Sequence, residues 1–193
     1  MMNGLLLWLR IHVRGGLLVL LVLAVVAELT VGRYAVQIAW APLQTVHVGL
    51  FLPVLTCGIA VLFLHSGFSD FESTYRHAWW RMRSAWAGVV FAVAALPGFW
   101  AVDALPTETS IRNRLICLTI ATAGSLVIVP AIAAMLPFVG IALSMLAAGA
   151  EEVRLWNLLD PSTSWLQWTL TVVFAACGIL VYGFAYPKLK LRR

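Results

Sequence analysis

"LICLTIATAGSLVIVPAIAAMLPFVGIALSMLAAG", residues 115–149, is an uninterrupted apolar block of 35 residues that carries no charge. As a single α-helix it would extend about 52 Å, well beyond a hydrocarbon core of about 30 Å. Proline lacks the amide hydrogen that the helix ladder needs and its ring crowds the preceding turn, so Pro130 or Pro137 is where the block folds back on itself. The block is therefore predicted to form two short spans.

Four other apolar runs lie at 16–32, 46–64, 84–102 and 165–186, which brings the expected total to six helices. The 193 residues are 62% hydrophobic and 11% charged, with a mean hydropathy of +0.94. A soluble globular domain does not carry this balance. The predicted fold class is all-α: one polytopic membrane bundle over 1–193, with no room for a separate soluble domain.

Charge placement orients the chain, because short cytoplasmic loops collect Lys and Arg. With six spans and both termini inside, the cytoplasmic segments hold Arg10, Arg14, Arg76, Arg81, Arg83, Lys188, Lys190, Arg192 and Arg193, against Asp70 and Glu72. The outer segments hold Arg33, Arg112, Arg114 and Arg154 against Asp103, Glu108, Glu151, Glu152 and Asp160, with Glu28 near the outer end of the first span. Five spans would put the terminal "KLKLRR" outside, against this bias. The formal charge of +5 thus records membrane orientation and implies no nucleic-acid surface. The expected location is the plasma or inner membrane, multi-pass, with both termini cytoplasmic.

The start of the chain, "NGLLLWLRIHVRGG", places Leu6, Leu9 and Val13 on one side of a helix and Arg10 and Arg14 four apart on another. This is the pattern of an interfacial elbow over 3–15, anchored by Trp8, Arg10 and Arg14, which enters the first span through Gly15 and Gly16. Its basic part is too long and too amphipathic for a cleaved signal peptide, so it is expected to be retained.

Between the second and third runs stands "FSDFESTYRHAWWRMRSAW", residues 68–86. Phe68, Phe71, Tyr75, Trp79, Met82 and Trp86 recur at helical spacing and make one apolar face. Ser69 stands three residues before Glu72, the arrangement of a capping box. Asp70 and Glu72 suit the positive end of the helix dipole, Arg81 and Arg83 suit the negative end, and Glu72 pairs with Arg76 at i, i+4. The predicted element is an amphipathic helix on the cytoplasmic face, with Trp79, Trp80, Arg81 and Arg83 as headgroup anchors. Its other face, Ser69, Asp70, Glu72, Ser73, Arg76 and His77, is left for a partner.

Glu28 is the one acid inside a predicted span and a candidate for the substrate path, unless it snorkels outward or meets Arg33 or Arg112. Cys57, Cys117 and Cys177 are odd in number, form no CxxC pair and lie in apolar runs, so they are expected to be buried free thiols. Their equal spacing, and the echo of "CGIAVLFLHSGF" in "CGILVYGFAYPK", is assigned to chance. His47 and His65 bracket the second run about 27 Å apart and cannot share one haem, and His12 and His77 fall in interfacial helices. No GxSxG elbow, HExxH helix or paired membrane aspartates are present, and Ser66 in "HSGF" has no base at a credible position. Gly88, Gly98, Gly124, Gly140 and Gly178 are candidates for close helix contacts.

Three stretches carry a likeness to a family. "LLLWLRIHVRGGLLVLLVLAVVA" and "FLHSGFSDFESTYRHAWWRMRSAWAGVVF" are two of them, and "IRNRLICLTIATAGSLVIVPAIAAMLPFV" followed by "WNLLDPSTSWLQWTLTVVFAACGILVYGF" is the third. In helix order and composition the chain resembles the six-helix permease subunits of type-2 ATP-binding-cassette (ABC) exporters, particularly the short forms common in high-GC Gram-positive bacteria. The charged "DALPTETSIRNR" and the ragged start of the second run at "APLQTVHVG" depart from that pattern. The resemblance implies a second permease chain, of the same or a sibling kind, and a cytoplasmic nucleotide-binding ATPase docked on a coupling helix within the loop 66–83. It implies that ATP and Mg belong to the ATPase, that this chain binds no cofactor, and that it carries no catalytic residue. The sequence agrees with that division, since it contains no GxxxxGK[ST] phosphate loop. A membrane adaptor that transports nothing, or a haem-binding membrane subunit, is the alternative.

Overall fold

The structure is a computed structural model and describes residues 15–32, 34–37, 45–47, 51–65, 79–100, 106–147 and 164–190, with side chains for all of these but 35–37, 45–47, 79, 143–147 and 186–190. Seven helices are described: α1 (Gly15–Val31), α2 (Leu52–Leu62), α3 (Trp79–Ala95), α4 (Thr107–Ser125), the single turn α5 (Pro130–Ala133), α6 (Leu136–Ala147) and α7 (Trp165–Lys190). A 3-10 turn, Leu96–Phe99, prolongs α3. Apart from the helices and their connecting turns, the described residues form one short antiparallel ladder between β1 (Ala35–Gln37) and β2 (Thr45–His47), in which Val36 is paired with Val46. With strands of only three residues this ladder leaves the all-α class intact, and it accounts for the ragged start of the second run. Residues 45–47 belong to β2, and α2 starts at Leu52 with Pro53 in its first turn, where a missing amide hydrogen costs nothing.

The long apolar block breaks as its prolines require. α4 ends at Ser125, and Pro130 opens the next turn. Its beginning differs from expectation, because α4 starts at Thr107 and takes in most of the charged stretch that hydropathy assigns to an outer loop. Pro106 precedes the helix and Glu108 lies in its first turn, next to the positive end of the dipole. Arg112 and Arg114 are therefore helix residues, at 3% and 0% exposure.

Two helices, Trp80–Phe99 and Trp165–Ala185, are long and apolar enough to cross a membrane. α2 and α6 have 11 and 12 residues, which is about 16–18 Å of helix, short of the hydrocarbon thickness. Two of the described helices therefore have the length and hydropathy of a full span.

α4 is the hub, packing on α2, α3, α5, α6 and α7, while α1 packs along α2. The polarity of the bundle is inverted. α7 turns Gln167, Thr171, Ala175, Gly178 and Tyr182 inward at spacings of four and three, and leaves Leu166, Leu170, Val173, Phe174, Val181 and Phe184 outward. α4 buries Thr109, Ser110, Thr119, Thr122 and Ser125 as well as its two arginines. In water an apolar exterior of this extent would aggregate. Next to lipid tails it is the expected surface, so the protein is membrane-associated.

Where lipid solvates apolar groups as well as a neighbouring helix does, close backbone approach replaces the hydrophobic drive. A Cβ on Gly178 would sit 2.8 Å from Thr119 Cγ2, and one on Gly183 would sit 3.1 Å from the Trp80 carbonyl oxygen, so α7 lies directly against α4 and α3. Gly98 and Gly124 are similarly crowded, by Arg114 and Leu136, whereas Gly88 meets nothing within 4 Å.

Candidate functional site

Two polar assemblies organise the described bundle, one at each end of α2. The first sits where α2 stops and α3 begins, flanking the segment expected to dock a partner. The last carbonyls of α2 have no partners within the helix. Trp86 Nε1 on α3 donates to the Phe63 carbonyl at 3.0 Å, and Tyr182 Oη on α7 donates to the Leu64 carbonyl. The His65 ring meets the Tyr182 ring edge-on at 6.0 Å. Nearly two turns before Trp86, Trp80 stacks on Phe184 of α7 with ring centroids 4.5 Å apart, and the Arg81 guanidinium lies 5.4 Å from the Trp80 ring. The exit of α2, the entry of α3 and the last third of α7 are thus fastened to one another.

Of the predicted docking residues, Ser69, Asp70, Glu72, Ser73, Arg76 and His77 lie outside the described residues, as do the anchors Trp8, Arg10 and Arg14. Trp79 opens α3. Trp80 is half-buried against Phe184 and Arg81 is exposed. Arg83 differs from its expected headgroup position, because its side chain is turned into the bundle at 3% exposure.

The second assembly centres on Glu28. It does not snorkel and does not meet Arg112, and Arg33 lies outside the described residues. Its side chain is 2% exposed and forms an ion pair with Arg114, whose side chain is 0% exposed. Thr56 Oγ1 on α2 donates to Glu28 Oε2 at 3.2 Å and shares its hydrogen with the Leu52 carbonyl at 3.3 Å. Arg114 Nη1 donates to the Ala94 carbonyl of α3 at 3.1 Å. The Arg114 carbonyl accepts from Cys57 Sγ at 3.7 Å. Four helices therefore converge on one buried charge pair, the arrangement that makes a buried ion tolerable in an apolar medium.

Arg112 stands two positions from Arg114, which turns it about 200° around α4. It faces α7, where Nη1 donates to Gln167 Oε1 at 3.2 Å. Gln167 also closes a capping box: its Oε1 accepts the Ser164 amide at 3.0 Å, and Ser164 Oγ accepts the Gln167 amide at 3.2 Å. The sequence reading missed this box although its signature, Ser164-x-x-Gln167 ahead of an apolar run, is legible.

Cys57 and Cys117 are buried free thiols as expected, whereas Cys177, also expected to be buried, is exposed on the outward face of α7. Among the described residues no group of three or more His, Cys, Asp or Glu side chains is placed to hold a metal ion. No protein-family model, curated protein or solved structure matches the chain.

Proposed function

We propose that this chain is the membrane-spanning subunit of an ATP-driven ABC exporter. In this reading it crosses the membrane six times with both termini cytoplasmic, pairs with a second permease chain, and moves a hydrophobic or amphipathic substrate outward with energy from a separate ATPase. The loop 66–83 seats the ATPase through Ser69, Asp70, Glu72, Ser73, Arg76 and His77.

One observation carries the reading more than any other, namely the fastening of both ends of that loop. A segment that transmits force must not dissipate it where it joins the bundle. Phe63 and Leu64 at its start are bonded by Trp86 and Tyr182, and Trp80 near its end is stacked on Phe184. A push on the loop is therefore delivered to α2, α3 and α7 together. Two arrangements of those helices, biased by the nucleotide state of the ATPase, would alternate access to the two sides.

The test is purification of the tagged protein from its native membrane in mild detergent, with mass spectrometry of what accompanies it in stoichiometric amount. A cassette ATPase is expected, and the double variant Glu72→Ala/Arg76→Ala is expected to lose most of it while helix content stays unchanged. If only membrane proteins accompany the wild type, or the double variant keeps its full complement of ATPase, the reading fails.

A further inference from the structure

α1 is attached to the bundle by a charge. Of its 17 residues the side chain that is buried is Glu28. Leu17 and Leu21, on the same face two to three turns earlier, are half-buried against the core, while Leu18, Val19, Val22, Leu23 and Val26 face outward. Among the described residues α1 packs along α2 and reaches α4 through the Glu28–Arg114 pair. At its start, a Cβ on Gly15 or Gly16 would meet nothing within 4 Å.

These facts assign unequal weights to the contacts that hold α1. In a bilayer an apolar side chain gains little by exchanging lipid for another helix, so Leu17 and Leu21 contribute packing alone. Glu28 has no such indifference. Away from Arg114 it would be a bare acid in hydrocarbon, and Arg114 would be a buried cation without its counter-charge. The ion pair decides whether α1 is docked. Its two halves also differ in mobility. Arg114 belongs to the hub helix and is also bonded to the Ala94 carbonyl of α3, whereas Glu28 belongs to a helix whose start, among the described residues, leaves open space around Gly15 and Gly16 and is held by the packing of Leu17 and Leu21.

We propose that α1 is a gate helix and that the Glu28–Arg114 pair is its latch. When the latch opens, α1 tilts away from α2 about its Gly15–Gly16 start and the α1–α2 side of the bundle opens towards the lipid. The proposal is independent of the ATPase reading, because it concerns the opposite end of α2 and makes no use of residues 66–83.

Distances between spin labels in phosphatidylcholine nanodiscs test it. Labels are attached after Thr30→Cys on α1 and Thr169→Cys on α7, in a Cys177→Ser background because Cys177 is the exposed native thiol. Both threonines are exposed, and their hydroxyls bond carbonyls of their own helix, so the replacements remove no contact between helices. A reference pair, Val93→Cys with Thr169→Cys, spans α3 and α7 from a position that is 47% exposed. With Glu28 intact a longer 30–169 distance is expected in a minority below about 10%. Glu28→Gln should make it the majority, the charge swap Glu28→Arg with Arg114→Glu should return it to the minority, and the 93–169 distance should stay fixed throughout. If Glu28→Gln does not insert, Thr56→Val removes one bond to the carboxylate and should shift the population in the same direction by less. An unchanged 30–169 distribution in these variants overturns the latch. So does a 93–169 distance that broadens in step, since the pair would then hold the whole bundle and not α1.

Discussion

Replacing Arg114 by Met removes the cation and keeps most of the side-chain volume, which makes it the cleanest probe of the buried pair. Glu28 is then left with the Thr56 hydroxyl, whose single hydrogen is already shared with the Leu52 carbonyl. With both partners essentially inaccessible, at 0% and 2% side-chain exposure, losing one should cost about 3–5 kcal/mol. An ordinary interhelical hydrogen bond inside a membrane contributes only about 0.6 kcal/mol, and about 1.7 at most. Thr56→Val should therefore cost about 1 kcal/mol, well below Arg114→Met. The decisive variant is Glu28→Gln with Arg114→Met. No unpaired charge remains, the Gln carbonyl can still accept from Thr56, and the double variant should lie within about 1 kcal/mol of the wild type. Glu28→Gln alone should also cost about 3–5 kcal/mol, because it leaves Arg114 without a counter-charge, so the cycle yields a favourable coupling of at least about 5 kcal/mol between positions 28 and 114. Equilibrium unfolding in mixed micelles, titrated with dodecyl sulfate and followed by far-ultraviolet circular dichroism, measures all four species. Strict additivity of the single variants, or an Arg114→Met cost below about 1 kcal/mol, would refute the claim that this pair is a coupled, water-free contact.

Two further outcomes follow from the same coordinates. Gly183→Val should destabilise the bundle strongly, because its first side-chain atom would press on the Trp80 backbone carbonyl at 3.1 Å, whereas Gly88→Ala, with nothing within 4 Å, should be neutral or slightly stabilising through helix propensity. Equal effects in a thermal-denaturation assay would contradict the close α3–α7 contact. Ser164→Ala should cost about 1 kcal/mol by uncapping α7, and Gln167→Ala should cost more because it also takes the acceptor from Arg112. The reverse order in the dodecyl sulfate titration would show that Arg112 does not use Gln167.

How much of this was legible in the sequence depended on whether local chemistry or a distant partner decided the matter. A break of the apolar block at Pro130 or Pro137 was legible, because a missing amide hydrogen acts on its own turn. The start of α4 was not. "TETSIRNR" resembles a loop to any hydropathy reading, and its two arginines are buried on a helix because Glu28 and Gln167, distant in sequence, supply their acceptors. Glu28 stood out as an acid in an apolar run, but hydropathy carries no information on helix rotation. Arg112, one of the two expected partners, and the actual partner Arg114 are two residues apart on nearly opposite faces of one helix. The β1–β2 ladder escaped for another reason. Strands of three residues are too short for alternation to register, and such a pair is marginal without other support.

The least apolar helix lying at the centre is what ties these features together. In a water-soluble bundle α4 would be placed with its arginines outward, and the leucines of α1 and the outward residues of α7 would close over the core. Here solvent and core have exchanged roles, so a polar side chain is satisfied only by reaching another helix, and each such reach fixes a neighbour. Arg114 fixes α1 and the end of α3, Arg112 fixes the capped start of α7, and Trp86 and Tyr182 fix the end of α2. The polar residues that seem ill-suited to a membrane protein are therefore the ones that specify which helices meet. In an apolar solvent they are also the contacts by which one arrangement of helices can be distinguished energetically from another.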